Sequence, residues 1–217
     1  MTKIIVSNIL CTEICHVNKK QNKMKTYKTI FAKTATLAAF ILFINFSVQA
    51  QEFILNNQES QLKIYGTSSL HDWHEDAEKQ SGKIKFENLE SGKIEALAIE
   101  VDAESLKSGK TAMDKNTYKA LKTDDFKKIK FQLTSVKNLT SKGQGVYAVN
   151  AMGDLTIAGT KNNIPVDFSL TIKDGKVTVV GEKKIKMTDY KVDPPKALFG
   201  TITTGDDLTI KFTTIFK

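Results

Sequence analysis

From Leu62 to Phe216 the chain alternates apolar and polar side chains with a period of two. The pattern is clearest between Phe126 and Ile172. Ile129, Phe131 and Leu133 mark one segment; Tyr147, Val149, Ala151, Leu155 and Ile157 a second; Ile164, Val166, Phe168, Leu170 and Ile172 a third. Lys128, Lys130, Asp154, Thr156, Asp167, Ser169 and Lys173 fill the alternate positions. A period of two places successive side chains on opposite faces of a strand, so one face meets a core or cavity and the other meets water. Shorter segments repeat the pattern: Leu62 and Ile64, Ile84 and Phe86, Leu97 with Ile99 and Val101, Val177 and Val179, Ile185 and Met187. Leu208, Ile210, Phe212, Thr214 and Phe216 close the chain in the same way. The turn KDGK at Lys173–Lys176 predicts a hairpin, because Asp-Gly tolerates the positive φ that tight hairpins demand. Long alternating strands close readily into barrels that can hold one apolar ligand.

One window breaks the alternation. Thr111–Leu121 (TAMDKNTYKAL) spaces Met113, Tyr118 and Leu121, with Ala112 and Ala120, as a helix of two to three turns. A short helix among strands either covers an open barrel end or packs on the outside. An amphipathic stripe shows burial and does not distinguish the two.

The N-terminal 50 residues follow a different logic. Lys25, Lys28 and Lys33 precede an apolar run from Ala35 to Val48, which ends at Val48, Gln49 and Ala50. A basic start, a short apolar middle and small residues at the end make a secretory signal over 24–50, cleaved after Ala50. The run falls short of the roughly 20 residues that cross a bilayer. Met24 begins a normal signal, so residues 1–23 read as a mis-assigned start. Both cysteines, Cys11 and Cys15, lie in this leader, leaving a mature chain with neither disulfide nor thiol chemistry. Residues 51–217 then form one domain, large enough for its own core.

Cleavage changes the charge picture. The full chain carries 32 basic and 24 acidic residues, and the leader holds seven Lys and one Glu of them. The remaining 25 and 23 give a net charge of +2. Every basic residue is Lys. Nucleic-acid readers rely on Arg forks and clustered positive charge, so nucleic acid is not an expected partner.

Candidate chemistry is sparse. His71, Asp72, Trp73, His74 and Glu75 form the densest reactive cluster. On a strand, His71 sides with Trp73 and His74 with Asp72, and two imidazoles on opposite faces cannot share a metal; in a turn that objection weakens. Trp73 reads as a core aromatic with polar neighbours. There is no G-x-S-x-G elbow and no mature cysteine nucleophile, so catalytic residues are not assigned. Gly143 and Gly145 match a degenerate dinucleotide fingerprint but lead into a strand, where a loop is the better reading. The pairs Asp124–Asp125 and Asp206–Asp207 read as solvated loop caps.

With these residues in view, the mature chain resembles the YceI-like family of polyisoprenoid-binding or lipid-binding proteins. The likeness runs from about Leu55 to Phe216. Gly153–Thr160 (GDLTIAGT) looks like the family's G-x-L-T-I-x-G-x block, followed by Ile164, Pro165 and Val166. Ser105 through Thr123–Phe126 (TDDF), then Ile129–Phe131 (IKF), is similar to its helix and following strand. Pro194–Gly200 (PPKALFG), with Thr204–Asp207 (TGDD), is similar to a C-terminal block of secreted members. The family often carries Arg after the G-x-L-T-I block and in the helix, where this chain has Lys161 and Asn162 and no Arg.

The resemblance implies an all-β, extended antiparallel lipocalin-like β-barrel, with one short helix near its mouth, around a long apolar pocket. It implies a secreted or periplasmic, non-enzymatic binding protein for an isoprenoid or isoprenoid quinone. A bound isoprenoid lipid is then the only non-protein group expected; no cofactor or metal is required. Trp73, Leu97, Phe131, Leu155, Phe168 and Phe212 are the expected wall contacts, and Met113, Tyr118 and Leu121 the expected mouth. Tyr190 and Phe199 are secondary candidates. An apolar lipid is the expected partner, with no membrane anchor after cleavage and homodimerisation left open. The competing reading is a structural or stress-linked secreted β domain whose core is filled. Sequence alone does not separate a tunnel from a plug.

Overall fold

In the computed structural model, residues 51–217 are described. The leader expected over residues 1–50 lies outside the described residues. The domain is a single curled antiparallel sheet with one helix.

Twelve strands build it: β1 Gln51–Ile54, β2 Gln61–Ser68, β3 Trp73–Ala77, β4 Gln80–Asn88, β5 Lys93–Asp102, β6 Leu106–Lys107, β7 Lys128–Gly143, β8 Val146–Ile157, β9 Thr160–Lys173, β10 Lys176–Lys186, β11 Lys196–Ala197 and β12 Ile202–Phe216. The helix α1 is Thr111–Leu121. The spatial order is β1-β4-β5-β7-β8-β9-β10-β12-β2-β3-β6, with β11 paired to β12. Strands β7 to β10 form a meander of hairpins, which is why the longest alternating segments sit side by side. Asp174 (φ 52°) and Gly175 (φ 71°) both take the left-handed conformation at the β9–β10 turn. That is the type I′ geometry that matches strand twist.

The sheet closes differently at its two ends. At one end, Leu55 N–H bonds to Gly82 O on β4 at 2.9 Å, while Ile54 and Lys217 exchange backbone bonds of 2.8 and 2.9 Å. Residues 54–56 thus bridge β4 to the last turn of β12. At the other end β12 pairs with β2, β2 with β3, and β3 with β6, which follows β5.

Burial follows the same division. The inward side chains of β12 run from Phe216 and Thr214, both fully buried, to Phe212, Ile210 and Leu208, which are half-buried. On β9, Leu170 is fully buried, whereas Ile164 is half-buried. Ile84, Phe86, Leu97, Val149, Leu170, Val177, Val179 and Phe216 belong to one packed cluster. A second cluster surrounds Leu155, Ile157, Ile185, Met187, Tyr190 and Val192. The barrel is therefore filled at the β1 end and opens inside toward α1. The tunnel and plug readings of the sequence each describe one half.

The outer face is polar. Lys128 meets Asp102 at 3.0 Å and Lys63 meets Asp76 at 2.9 Å across neighbouring strands. Exposed pairs of this kind add little stability and mainly keep this face in water. Asp206 and Asp207, expected in a loop, instead lie within β12, beside the irregularity between Thr204 and Leu208. There Asp206 accepts hydrogen bonds from Thr188 N–H (2.9 Å) and Oγ1 (2.7 Å), which hold its carboxyl below the usual range. No helix among the described residues is long and apolar enough to cross a membrane.

Candidate functional site

The open half of the barrel contains a cavity of about 440 Å³, within the range of small-molecule sites. Inward residues from strands all round the barrel supply its wall. Leu62 and Ile64 come from β2, Trp73 from β3, Leu97 and Ile99 from β5, and Ile129 and Phe131 from β7. Leu155 and Ile157 come from β8, Ile164 and Phe168 from β9, Ile185 from β10, and Leu208, Ile210 and Phe212 from β12. α1 closes one side with Ala112, Met113, Asn116, Thr117, Ala120 and Leu121. Exposed Leu70, His71 and Lys110 also belong to the lining, so the cavity reaches solvent beside α1.

Three wall aromatics lean on glycines of neighbouring strands. A Cβ added at Gly66 would fall 2.2 Å from Trp73 Cζ2, one at Gly153 2.3 Å from Phe131 Cε2, and one at Gly181 2.6 Å from Phe212 Cζ. The missing side chains let each ring lie over the adjacent backbone. Trp73 Nε1 also donates to Thr67 O at 2.9 Å, which fixes the indole.

The lining is apolar except at a few places. Glu75 is its one acidic residue among the described residues, at 2% exposure. Thr117 Oγ1 on α1 donates to Glu75 Oε1 at 2.5 Å, its single hydrogen bond among the described residues. Burial raises the Glu75 pKa above the ordinary carboxyl value, against the Thr117 bond, and the Asp114 charge adds to the rise. Asp114 itself behaves oppositely. Burial opposes its ionisation but is outweighed by hydrogen bonds from Ser108 Oγ (2.5 Å) and N–H (2.9 Å), so its pKa is lowered. Tyr190 is 1% exposed and its hydroxyl has no hydrogen-bond partner among the described residues. Burial raises its pKa, with the nearby Asn162 side chain opposing.

The sequence-derived residues divide unequally. Trp73, Leu97, Met113, Leu121, Phe131, Leu155, Phe168, Phe212 and Tyr190 all line the cavity. Phe168 does so at the boundary, since it also belongs to the packed end. Tyr118 does not. Its hydroxyl proton lies between two acceptors, Glu104 O (2.8 Å) and Leu106 O (3.0 Å), and its oxygen accepts from Lys107 Nζ, on the segment preceding α1. The reason is helical phase: the lining residues are 112, 113, 116, 117, 120 and 121, a stripe that continues from Met113 at i, i+3, i+4, i+7 and i+8 and has Ala112 one turn before Asn116. Position 118 falls off that stripe. Phe199 also does not line the cavity; it is fully exposed, in a tight turn at Leu198–Gly200 with φ 54°.

His71 and His74 lie apart, although only His74 is on β3; His71 precedes the strand, in the turn after β2. His71 joins Trp73 at the cavity, whereas His74 is exposed with Nε2 3.9 Å from Asp76. The same alternation carries Glu75 inward beside Trp73. That signal was present in the sequence, because 73 and 75 share a strand face. Reading Glu75 as a polar neighbour of a core tryptophan overlooked it. Thr117 and Asn116 were legible in the helical stripe once Met113 and Leu121 were placed on it.

Comparison with known proteins agrees with this architecture. The YceI-like domain model matches residues 53–216. No match was found among curated protein sequences. BcnA of Burkholderia cenocepacia superposes with a TM-score of 0.61 at 16% identity, covering 74% of this chain and 98% of its own. A polyisoprenoid binding domain from Saccharophagus degradans, implicated in plant cell wall breakdown, gives 0.62 at 12% identity over 76% and 97%. The YceI protein of Campylobacter jejuni gives 0.52 at 19% identity over 66% and 84%. At these identities the structural matches speak to the fold alone. With the domain match spanning nearly all of the described residues, the chain belongs to the YceI-like family.

Proposed function

We propose that this protein is a secreted or periplasmic binding protein that holds one long apolar lipid, an isoprenoid or isoprenoid quinone, inside its barrel. The observation that carries the reading is the cavity itself: inward residues of β2, β7 and β12 stay half-buried because space remains between them. A wholly filled β domain would bury Leu208, Ile210 and Phe212 as completely as Phe216. The Saccharophagus degradans relative is named for polyisoprenoid binding, and that ligand class is carried over here as part of the proposal. Each buried methylene contributes roughly 0.8 kcal/mol, so an isoprenoid chain binds well with few polar contacts. In this reading the leader through Ala50 is removed on export, no cofactor or metal takes part, no catalytic step occurs and nucleic acid is not a partner.

The test is mass spectrometry of organic extracts from the purified protein, with uptake of an added isoprenoid quinone measured alongside. Ala120→Phe places a ring from α1 into the cavity while leaving the packed end intact. The expected result is lipid in the wild type and loss of it in the folded variant. A wild type that neither carries nor takes up lipid favours the filled-domain reading.

A further inference from the structure

Apolar walls explain retention of a hydrocarbon chain but not the placement of a carboxyl group among them. Glu75 stands in the middle of β3 with 2% of its surface exposed, and it contributes to the cavity lining. Its only hydrogen bond among the described residues comes from Thr117, across the gap between β3 and α1. A buried carboxyl without a counter-ion is costly to ionise. The charge acting on it is Asp114, another carboxylate. Lys110, Lys183 and Lys196 reach the cavity lining, but none forms an ion pair with Glu75 among the described residues.

We infer that Glu75 and Thr117 form a head-group subsite that selects lipids ending in an uncharged hydrogen-bond acceptor, a ketone or an alcohol, over lipids ending in a phosphate or carboxylate. The inference rests on the lipid-cavity reading above and narrows it. Thr117 engages Oε1, which leaves Oε2 without a protein partner among the described residues and able, as the acid, to donate to a ligand oxygen. Asn116, on the same helical stripe, brings an amide to the same lining. An anionic end at this point meets a buried carboxyl group that has no counter-ion, with the Asp114 charge acting on the same place, so it is repelled. A buried polar group left unpaired by a headless hydrocarbon penalises that ligand as well, which is the physical basis of discrimination by hydrogen bonding.

The experiment compares three ligands that share one carbon skeleton: farnesol, farnesyl phosphate and the saturated hydrocarbon farnesane. Affinities for the purified protein are measured by tryptophan fluorescence and native mass spectrometry, with wild type, Glu75→Gln and Glu75→Leu. Wild type is expected to bind farnesol about tenfold more tightly than farnesane, the effect of roughly one net hydrogen bond, and farnesyl phosphate less tightly than farnesol. Glu75→Gln keeps an N–H donor and retains the preference for farnesol over farnesane. Glu75→Leu binds farnesane and loses that preference. Tighter binding of the phosphate than the alcohol overturns the inference, as does a preference that survives in Glu75→Leu. Equal binding of all three by wild type overturns this inference and leaves the lipid-cavity reading standing. Binding of none overturns both. The wild-type ranking decides the matter even if Glu75→Leu fails to fold.

Discussion

Trp73 lies across Gly66 on the adjacent strand, so close that a Cβ placed at Gly66 would stand only 2.2 Å from the indole Cζ2. Any side chain at 66 therefore evicts the ring or bends β2. Gly66→Val is expected to destabilise the domain by about 1–3 kcal/mol through overpacking, and to break the Trp73 Nε1 bond to Thr67 O. Chemical denaturation checks the first effect, and near-ultraviolet circular dichroism the second.

Trp73 is the only tryptophan in the chain and it lines the cavity. Its emission is thus a direct report of occupancy. Saturating the protein with an isoprenoid alcohol is expected to shift that emission, while Ala120→Phe abolishes the response. An unchanged spectrum in a protein shown by mass spectrometry to be loaded would place the ligand away from β3.

Glu75 sets a pH dependence whose sign follows from its raised pKa. The folded state holds the proton more tightly than the unfolded chain does. Its contribution is fully present below the unfolded value of 4.5 and is lost as pH rises from there through the raised folded value. Glu75→Gln is therefore expected to match wild type at low pH and to be more stable above that window. Urea denaturation of both proteins across acidic and neutral pH measures the difference. A constant offset at every pH would show that burial does not perturb this carboxyl.

Asp114 ties the loop before α1 to the helix through both bonds from Ser108. Asp114→Ala is expected to cost about 1–3 kcal/mol, the scale of hydrogen bonds to a charged group. Hydrogen exchange should quicken in residues 108–113, and bound lipid should dissociate faster because this loop and helix flank the opening.

The two halves of the barrel predict unequal responses to truncation. Leu170→Ala, in the packed end, is expected to cost about 2–5 kcal/mol, since a void opens where none existed. Leu208→Ala, on the cavity wall, is expected to cost less in the lipid-free protein because it enlarges existing space. Equal losses would mean that the upper half packs as tightly as the lower.

Most of the strands were legible because period two survives along them, as in Tyr147, Val149, Ala151, Leu155 and Ile157, all inward and buried. The pattern fails where the ladder shifts. Between Leu133 and Ser135 the β7–β8 register slips, so Val136 packs inward out of phase with Phe131, and a second slip between Val136 and Asn138 returns Leu139 to the original phase. No composition signal marks such a bulge. Helix phase was legible in principle, yet grouping Tyr118 with Met113 ignored that five residues carry a side chain well round the helix. Phe199 shows a different limit, since hydrophobicity says nothing of orientation in a turn. The extent of filling depended on how strands converge, which side-chain alternation does not encode.

The cavity meets solvent beside α1 and residues 68–71, while the side chains of the β1 end pack against one another. An occupant that passes beside the helix keeps one end near the surface and the other deep in the barrel, so arrival order fixes departure order: the end that enters last leaves first. A molecule longer than the chamber trails outward past the helix. A donor and a recipient that both work at this face must then take turns there.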